Sequence, residues 1–459
     1  MTAAPPPAAP ADAAATERHV RKVGSLVVHG TIHRRHLAGC IPALEQPGPP
    51  GHACRVILHR AFTRLQLRYQ QDEPGLPAPA TVIAAADAAF EEMATRCPFL
   101  AERLMDLALN LGHTDPTAWH VVTGRLVPSR RLLDFGAAWS ARARALSPAS
   151  FFRHVHLGVR HTLLRNEEAA YRHFLAARQA RPPDDLLPSY YAALRSLCAP
   201  ILAAEEELAW RRPAAFRDWF PMAADAAILR PPRPGEGLLY LCGADSRYAT
   251  AFAPEVLAAL ARHGGRRLHL HLVDPTPGCL ELLDLLAREG EAGGVALSAT
   301  AEYRPAVADL RAYYSVSRFF AQRWLQAEGL GRVLLADIDM VPCDDLRKLD
   351  HATAGQDLAL LRGRLPLFRF PWAGVRAGAL LAGPAPGAGT FLQLLCRTIE
   401  REFDRQATGL WGIDQNALFV AANYLDALSH GLRIGNLREA FPNLIQGIAD
   451  KRAKLAALP

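Results

Sequence analysis

From residue 238 the chain alternates short apolar strands with amphipathic helices, and this order constrains its fold more than any other feature. LLYL, LHLHLV, VAL and VLLA read as strands at 238–241, 268–273, 295–297 and 333–336. FAPEVLAALARHG, CLELLDLLAREG and DLRAYYSVSRFFAQRWLQAEG lie between them and read as helices. Repeated strand–helix–strand units imply a mostly parallel sheet with helices on both faces. Ligands of such sheets bind outside the carboxyl ends of the strands. Ala244-Asp245, Asp274 and Asp337 each follow a strand and occupy such ends.

The last strand runs into Asp337-Ile338-Asp339. Continued alternation puts both carboxylates on one side and Ile338 on the other. Two acids at the end of a buried strand are costly to desolvate without a compensating charge. A divalent cation would supply it, and oxygen ligands select Mg²⁺ or Mn²⁺, which bridge to substrate phosphates. The triplet alone equally marks a strand end, a turn or a helix start.

The preceding half reads differently. TVIAAADAAFEEMATRC, PFLAERLMDLALNLG, RLLDFGAAWSARARAL, SFFRHVHLGVRHTLL and NEEAAYRHFLAARQA all carry apolar residues at helical spacing, and none alternates as a strand does. Within them Leu157-Gly158, Ala170, Phe174, Ala177 and Pro182 fall where a tetratricopeptide repeat of about 34 residues carries its small and terminating residues. Gly124, Gly136, Ala143 and Pro148 repeat the phase one unit upstream. A helical array of this kind presents a concave surface to a protein or peptide partner. The expected organisation is therefore a disordered Ala/Pro tail at 1–18, an α-helical, tetratricopeptide-like domain at 19–227, a Pro/Gly linker at 228–237 and an α/β domain at 238–459.

Composition narrows the function. The chain of 459 residues carries a net charge of +7, nearly all of its positive charge being Arg, with lysine only at 22, 348, 451 and 454. Arginine favours phosphate and carboxylate partners. No basic run with interleaved aromatics points to nucleic acid. No apolar run reaches the roughly 18–20 residues of a membrane span, and the N-terminus lacks the form of a secretory signal. The eight cysteines are scattered without a Cys-x-x-Cys pair, which fits a reduced, cytoplasmic setting. His29, His33, His36, Cys40, His52 and Cys54 cluster loosely but lack a paired zinc signature.

Four blocks in order now resemble GT-A-fold nucleotide-sugar glycosyltransferases, most closely the glycogenin-like family 8 and its bacterial relatives, over about 237–451. They are LLYLCGADSRYATAFAPEVLAAL, then YYSVSRFFAQRWL with VLLADIDMVPCDDL, then WAGVRAGALLAGP, then LWGIDQNALFVAANYL. The resemblance implies a GT-A (Rossmann-like) α/β domain. It implies a UDP-sugar donor whose nucleoside meets Ala244, Asp245 and Tyr248. Asp337, Asp339 and Gln446 would hold Mn²⁺ or Mg²⁺, with Lys451 closing over the phosphates. Arg318, Asp414 and Gln415 would be the catalytic groups, acting with retention on a saccharide, lipid-linked or protein acceptor. Two positions depart from the family: Gln446-Gly447 stands where a His-Gly metal ligand is usual, and Arg376 where Asn is common. A rival reading is a helical-repeat adaptor whose GT-A-like domain is catalytically weak or inactive. A nucleotidyltransferase ranks lower, because CGADSRYATAF lacks the Gly-rich basic loop of those enzymes.

Overall fold

The computed structural model describes residues 13–70, 73–114, 119–122, 125–164, 166–180, 212–362, 375–405, 410, 412–427, 432–440, 445–448 and 455. The chain forms two compact units, Met1–Ala199 with Leu365–Pro371, and Pro200–Arg364 with Trp372–Pro459. Among the described residues no helix is long and apolar enough to cross a membrane.

The first unit holds α1 (Ala13–Val28), α2 (Arg34–Leu44), α3 (Pro49–Gln70), α4 (Pro79–Arg96), α5 (Pro98–Thr114), β1 (Trp119–Val122), β2 (Arg125–Pro128), α6 (Arg130–Ala143), α7 (Phe151–Leu163) and α8 (Glu167–Gln179). Val20, Val23 and Val27 are spaced three and four apart and all buried, so α1 turns one apolar stripe inward. That helix begins at Ala13, inside the stretch expected to be tail.

The pair α7–α8 has the expected helix–turn–helix layout. Leu157, Gly158, Ala170 and Ala177 are buried, and Asn166 caps α8 by accepting from Ala169 N at 3.2 Å. The upstream repeat is corrected. Where its first helix would lie, β1 and β2 pair as an antiparallel hairpin, and Val121, Val122 and Val127 there are β-branched residues that fit a pleated ribbon better than a helix. The side chain of Phe174, and Gly124, Pro182 and the region from 185 to 211, lie outside the described residues.

His33 caps α2, accepting from Arg35 N at 3.2 Å. Burial, then the nearby Cys54 and Cys97, pushes the Cys40 thiol up to about 12, which keeps it protonated and a poor ligand.

The second unit opens with a 3-10 turn, Phe216–Trp219, and then β3 (Ala223–Arg230), β4 (Leu239–Asp245), α9 (Ser246–Arg262), β5 (Arg267–Val273), α10 (Pro277–Ala292), β6 (Ala296–Pro305), α11 (Leu310–Ala327) and β7 (Val333–Asp337). β8 (Met340–Pro342), α12 (Leu346–Ala352), β9 (Leu358–Arg362), β10 (Val375–Ala382), α13 (Pro386–Arg405), α14 (Ile413–Ala427), β11 (Ile434–Asn436), α15 (Leu437–Ala440) and β12 (Ile445–Gly447) follow. Eight strands form one sheet in the order β11-β9-β10-β7-β4-β5-β6-β3.

Its centre, β7-β4-β5-β6, is parallel as the alternation implies. Its margins are mixed: β10 runs antiparallel to β7 and β9, and β3 antiparallel to β6. β3 also occupies Ile228–Arg230, the start of the expected linker, pairing Ile228 with Thr300. The run AADAAILR is rich in alanine, a helix former, and pairing along the β6 edge overrides that propensity.

Alternation along β4 sends Leu239 and Leu241 to a core shared with α11, α13 and α14. Tyr240, Cys242 and Ala244 go to the opposite core, with α9, α10 and α12. The chain winds from β4 outward to β5 and β6 and then returns to place β7 on the other side of β4. The gap between the carboxyl ends of β4 and β7 is thus a topological switch point, where such sheets bind ligands.

Candidate functional site

The switch point is organised around one arginine. In register, Gly243 of β4 lies beside Asp337, the last residue of β7. A Cβ at Gly243 would sit 2.6 Å from Arg318 Cβ. A bare glycine is what lets α11 lie this close to the sheet and bring Arg318 to the strand end.

Arg318 Nη1 donates to Asp337 Oδ1. Nη2 donates to the Ala377 carbonyl of β10 at 3.0 Å and lies 3.9 Å from Asp414 Oδ2, in the first turn of α14. The guanidinium therefore bridges two carboxylates and the neighbouring strand. Side-chain exposures of 6% for Arg318, 14% for Asp414 and 35% for Asp337 place the charge inside and Asp337 at the opening.

Electrostatics follow from that layout. Burial works to lower the Arg318 pKa, but Asp337 and then Asp414 outweigh it, so the net direction is up and the cation is fixed. Burial pushes the Asp414 carboxyl up; Arg318 opposes this only in part, and Asp337 adds to the rise.

The acid pair is corrected in detail. β7 ends at Asp337, and Ile338 and Asp339 form a turn into β8, so the extended alternation assumed for Asp339 stops one residue early. Ile338 is buried and both acids are partly open to solvent. Arg318 supplies part of the compensating charge for Asp337, and shares it with Asp414.

The turn is clamped from two sides. Tyr240 OH donates to Met340 O at 3.3 Å. β12 pairs antiparallel with β8, setting Gln446 opposite Val341, and Ile448 N donates to Asp339 O at 2.9 Å. The segment expected to bring a third ligand thus lies against the acidic turn, although the Gln446 side chain is outside the described residues.

The oxygens that could hold a hard divalent cation here would be Asp337 Oδ2 and the Asp339 carboxylate. A Cβ at Gly378 would lie 3.4 Å from that Oδ2, so the glycine leaves space in front of it. Among the described residues no group of three His, Cys, Asp or Glu side chains gathers to hold a metal. These oxygens suit Mg²⁺ or Mn²⁺ bound by one or two carboxylates with substrate phosphates completing the shell, and they do not make an all-protein cage.

The other expected residues distribute as follows. Asp245 caps α9, accepting from Tyr248 N at 2.8 Å, and so ends up beside the switch point with part of its carboxylate engaged. The Tyr248 ring packs near Phe252, centroids 5.7 Å apart. Ala244 is buried in the opposite core, so its approach to a ligand would be through backbone. Gln415 N donates to Asp414 Oδ1 at 2.8 Å. Arg376 is exposed on β10, in register with Leu361. Asp345 caps α12, accepting from Arg347 N at 2.9 Å, as its place before LRKLDHA implies. Lys451 lies outside the described residues.

One residue at the switch point escaped the sequence reading: Gly243. It sat inside a quoted motif, but only packing against Arg318 reveals why a side chain is missing there.

No protein-family model and no curated protein matches the sequence. Among solved structures, the chain is similar to apo mouse xyloside xylosyltransferase 1, at 16% identity and a TM-score of 0.28 over 44% of this chain and 84% of that one. It is also similar to the apo bifunctional glycosyltransferase WbbM, at 12% identity and a TM-score of 0.30 over 50% of this chain and 45% of that one. The match thus spans less than half the length of WbbM, and at these scores both likenesses are faint.

Proposed function

We propose that the sheet unit is a GT-A-type glycosyltransferase that moves a sugar from a nucleoside diphosphate donor, UDP-linked, to an acceptor, with retention. The observation that carries this reading is the buried Arg318 between Asp337 and Asp414 at the switch point. One buried arginine shared by two carboxylates, with Asp339 close by, leaves this strand end short of positive charge, which would suit a divalent cation brought in with a diphosphate that departs with growing negative charge. A divalent cation on Asp337 and Asp339 supplies further stabilisation of the leaving diphosphate when bound. Arg318 offers a fixed positive charge and, being largely buried, holds its fork in one orientation. Asp414, on the other side of Arg318, would orient the acceptor or face the oxocarbenium-like centre. Asp245 and Tyr248 would meet the nucleoside from β4 and α9. The helical unit would help choose the acceptor.

The test is calorimetric titration of the full chain with UDP in Mn²⁺. Binding is expected, with its loss in Asp337→Ala/Asp339→Ala. A wild-type chain that takes up no UDP, or a double variant that binds as well as wild type, rejects the diphosphate site.

A second reading has one specific observation behind it: Arg318 already occupies Asp337 Oδ1, and no third acid joins the pair among the described residues. This favours a GT-A-like domain that binds donor without turning it over. Slow hydrolysis of UDP-sugar in the absence of acceptor supports the enzyme; intact UDP binding with no hydrolysis supports the binding protein.

A further inference from the structure

α11 is buried on nearly all sides, with every residue from Val316 to Leu325 in the interior. A helix apolar on one stripe fixes its rotation by turning that stripe inward. A helix enclosed all round has no solvent face to orient it, so its rotation rests on side-chain packing and on specific polar contacts. Two of these contacts on α11 flank Arg318. Five residues before it, Tyr313 OH donates to Glu302 Oε2 of β6 at 2.5 Å. Four residues after it, Gln322 Nε2 donates to Val333 O of β7 at 3.2 Å and to Leu380 O of β10 at 3.0 Å. Tyr313, Glu302 and Gln322 are all fully buried.

The Glu302 anchor is itself held. His271 Nε2 lies 3.0 Å from Glu302 Oε1. His271 Nδ1 and His269 Nε2 both lie 2.9 Å from Thr300 Oγ1, and His269 Nδ1 lies 2.9 Å from Ser298 Oγ. Phe220 stacks on His271 at 5.0 Å. The acceptor for Tyr313 is thus locked between β5 and β6 by groups that have exchanged water for one another, and a hydroxyl lost from this set would leave a buried carboxylate oxygen without its donor.

We propose that Tyr313 and Gln322 are positioning residues: together they set the rotation of α11 and so hold the Arg318 guanidinium between Asp337 and Asp414. The consequence for donor binding rests on the function proposed above; the placement of Arg318 does not.

Two measurements on the full chain separate these. In the ligand-free protein, the guanidinium nitrogen signals of Arg318 are expected to shift in Tyr313→Phe and in Gln322→Met, both near-isosteric, while those of Arg103 in the helical unit stay in place. Unmoved Arg318 signals in both folded variants overturn the proposal. In UDP titrations with Mn²⁺, Tyr313→Phe is expected to weaken binding about tenfold, the scale of coupling between residues in one network. In an Arg318→Lys background, where a flexible ammonium replaces the rigid fork, the same change should cost less than about twofold. Equal losses in both backgrounds indicate general loosening and reject positioning. A wild-type chain that binds no UDP defeats the proposed function alone, and the nitrogen signals still decide the placement of Arg318.

Discussion

Both units bury arginine, and Arg103 of the helical unit and Arg318 of the sheet unit are built for different ends. In the helical unit Arg103 is 2% exposed, 3.1 Å from His59 Nδ1, with its guanidinium 3.4 Å from the centre of the Phe152 ring. Nearby Asp106 accepts from Gln66 Nε2 at 3.2 Å and lies 3.2 Å from His156 Nε2, all three being buried. That cluster is closed. In the sheet unit Arg318 is equally enclosed, but one of its carboxylates, Asp337, opens to solvent at the end of a strand. Burial of charge is common to both; a route from the charge to solvent distinguishes the second. A buried polar network points to a site only where part of it faces outward.

Replacing both arginines by Met tests this difference most strongly. Arg318→Met leaves Asp337 and Asp414 without their cation and should cost about 3–5 kcal/mol in denaturant unfolding, with UDP binding abolished. Arg103→Met also removes a buried guanidinium and should likewise cost several kcal/mol of stability, but with UDP binding by the folded chain intact. Loss of UDP binding in a folded Arg103→Met chain would erase the distinction.

Acid should act on both units with the same sign. Burial, then His271, lowers His269 in the sheet unit from 6.5 to about 3. Burial, then His154 and His161, lowers His173 in the helical unit from 6.5 to about 4. Each depressed histidine contributes stability that is full above pH 6.5 and lost as pH falls towards its folded value. Stability is expected to fall by a few kcal/mol through His269 down to about pH 3, and the contribution of His173 to level off sooner, near pH 4. Unfolding midpoints that are flat from pH 6.5 to 4 would contradict both assignments.

Glycines sharpen the comparison at smaller scale. A Cβ at Gly243 would lie 2.6 Å from Arg318 Cβ, and one at Gly112 in the helical unit 2.3 Å from the Phe135 ring. Both alanine variants should lose about 1–3 kcal/mol by overpacking, but only Gly243→Ala should also weaken UDP binding. Asp339→Asn should have the smallest effect on unfolding, within about 0.5 kcal/mol for a partly exposed turn residue, while reducing the Mn²⁺ dependence of UDP binding. Unchanged Mn²⁺ dependence would remove Asp339 from the ligand set.

Much of the sheet unit was legible because its signals are local. LHLHLV and VLLA are short apolar runs between helices, and their order forces parallel pairing. Helix caps were legible for the same reason: Asp345 stands directly before its helix. The hairpin at 119–128 and the edge strand at 223–230 were not, since each depends on a partner that periodicity does not show. Arg318 could be singled out in the sequence, but its contacts with Asp337 and Asp414 join residues 19 and 96 positions away along the chain.

The sequence by itself determined where strands and helices alternate, that Asp337 ends a buried strand, and that arginine carries nearly all the positive charge. Those properties are set by neighbours a few residues apart, through propensity, periodicity and capping. Tertiary structure decided what stands beside Asp337. The sequence pointed to a metal at the acid pair; the fold brings Arg318 to Asp337 as well, because Gly243 lets α11 close on the sheet at that point. Long-range Coulomb partners are chosen by packing, and packing is a property of the assembled chain.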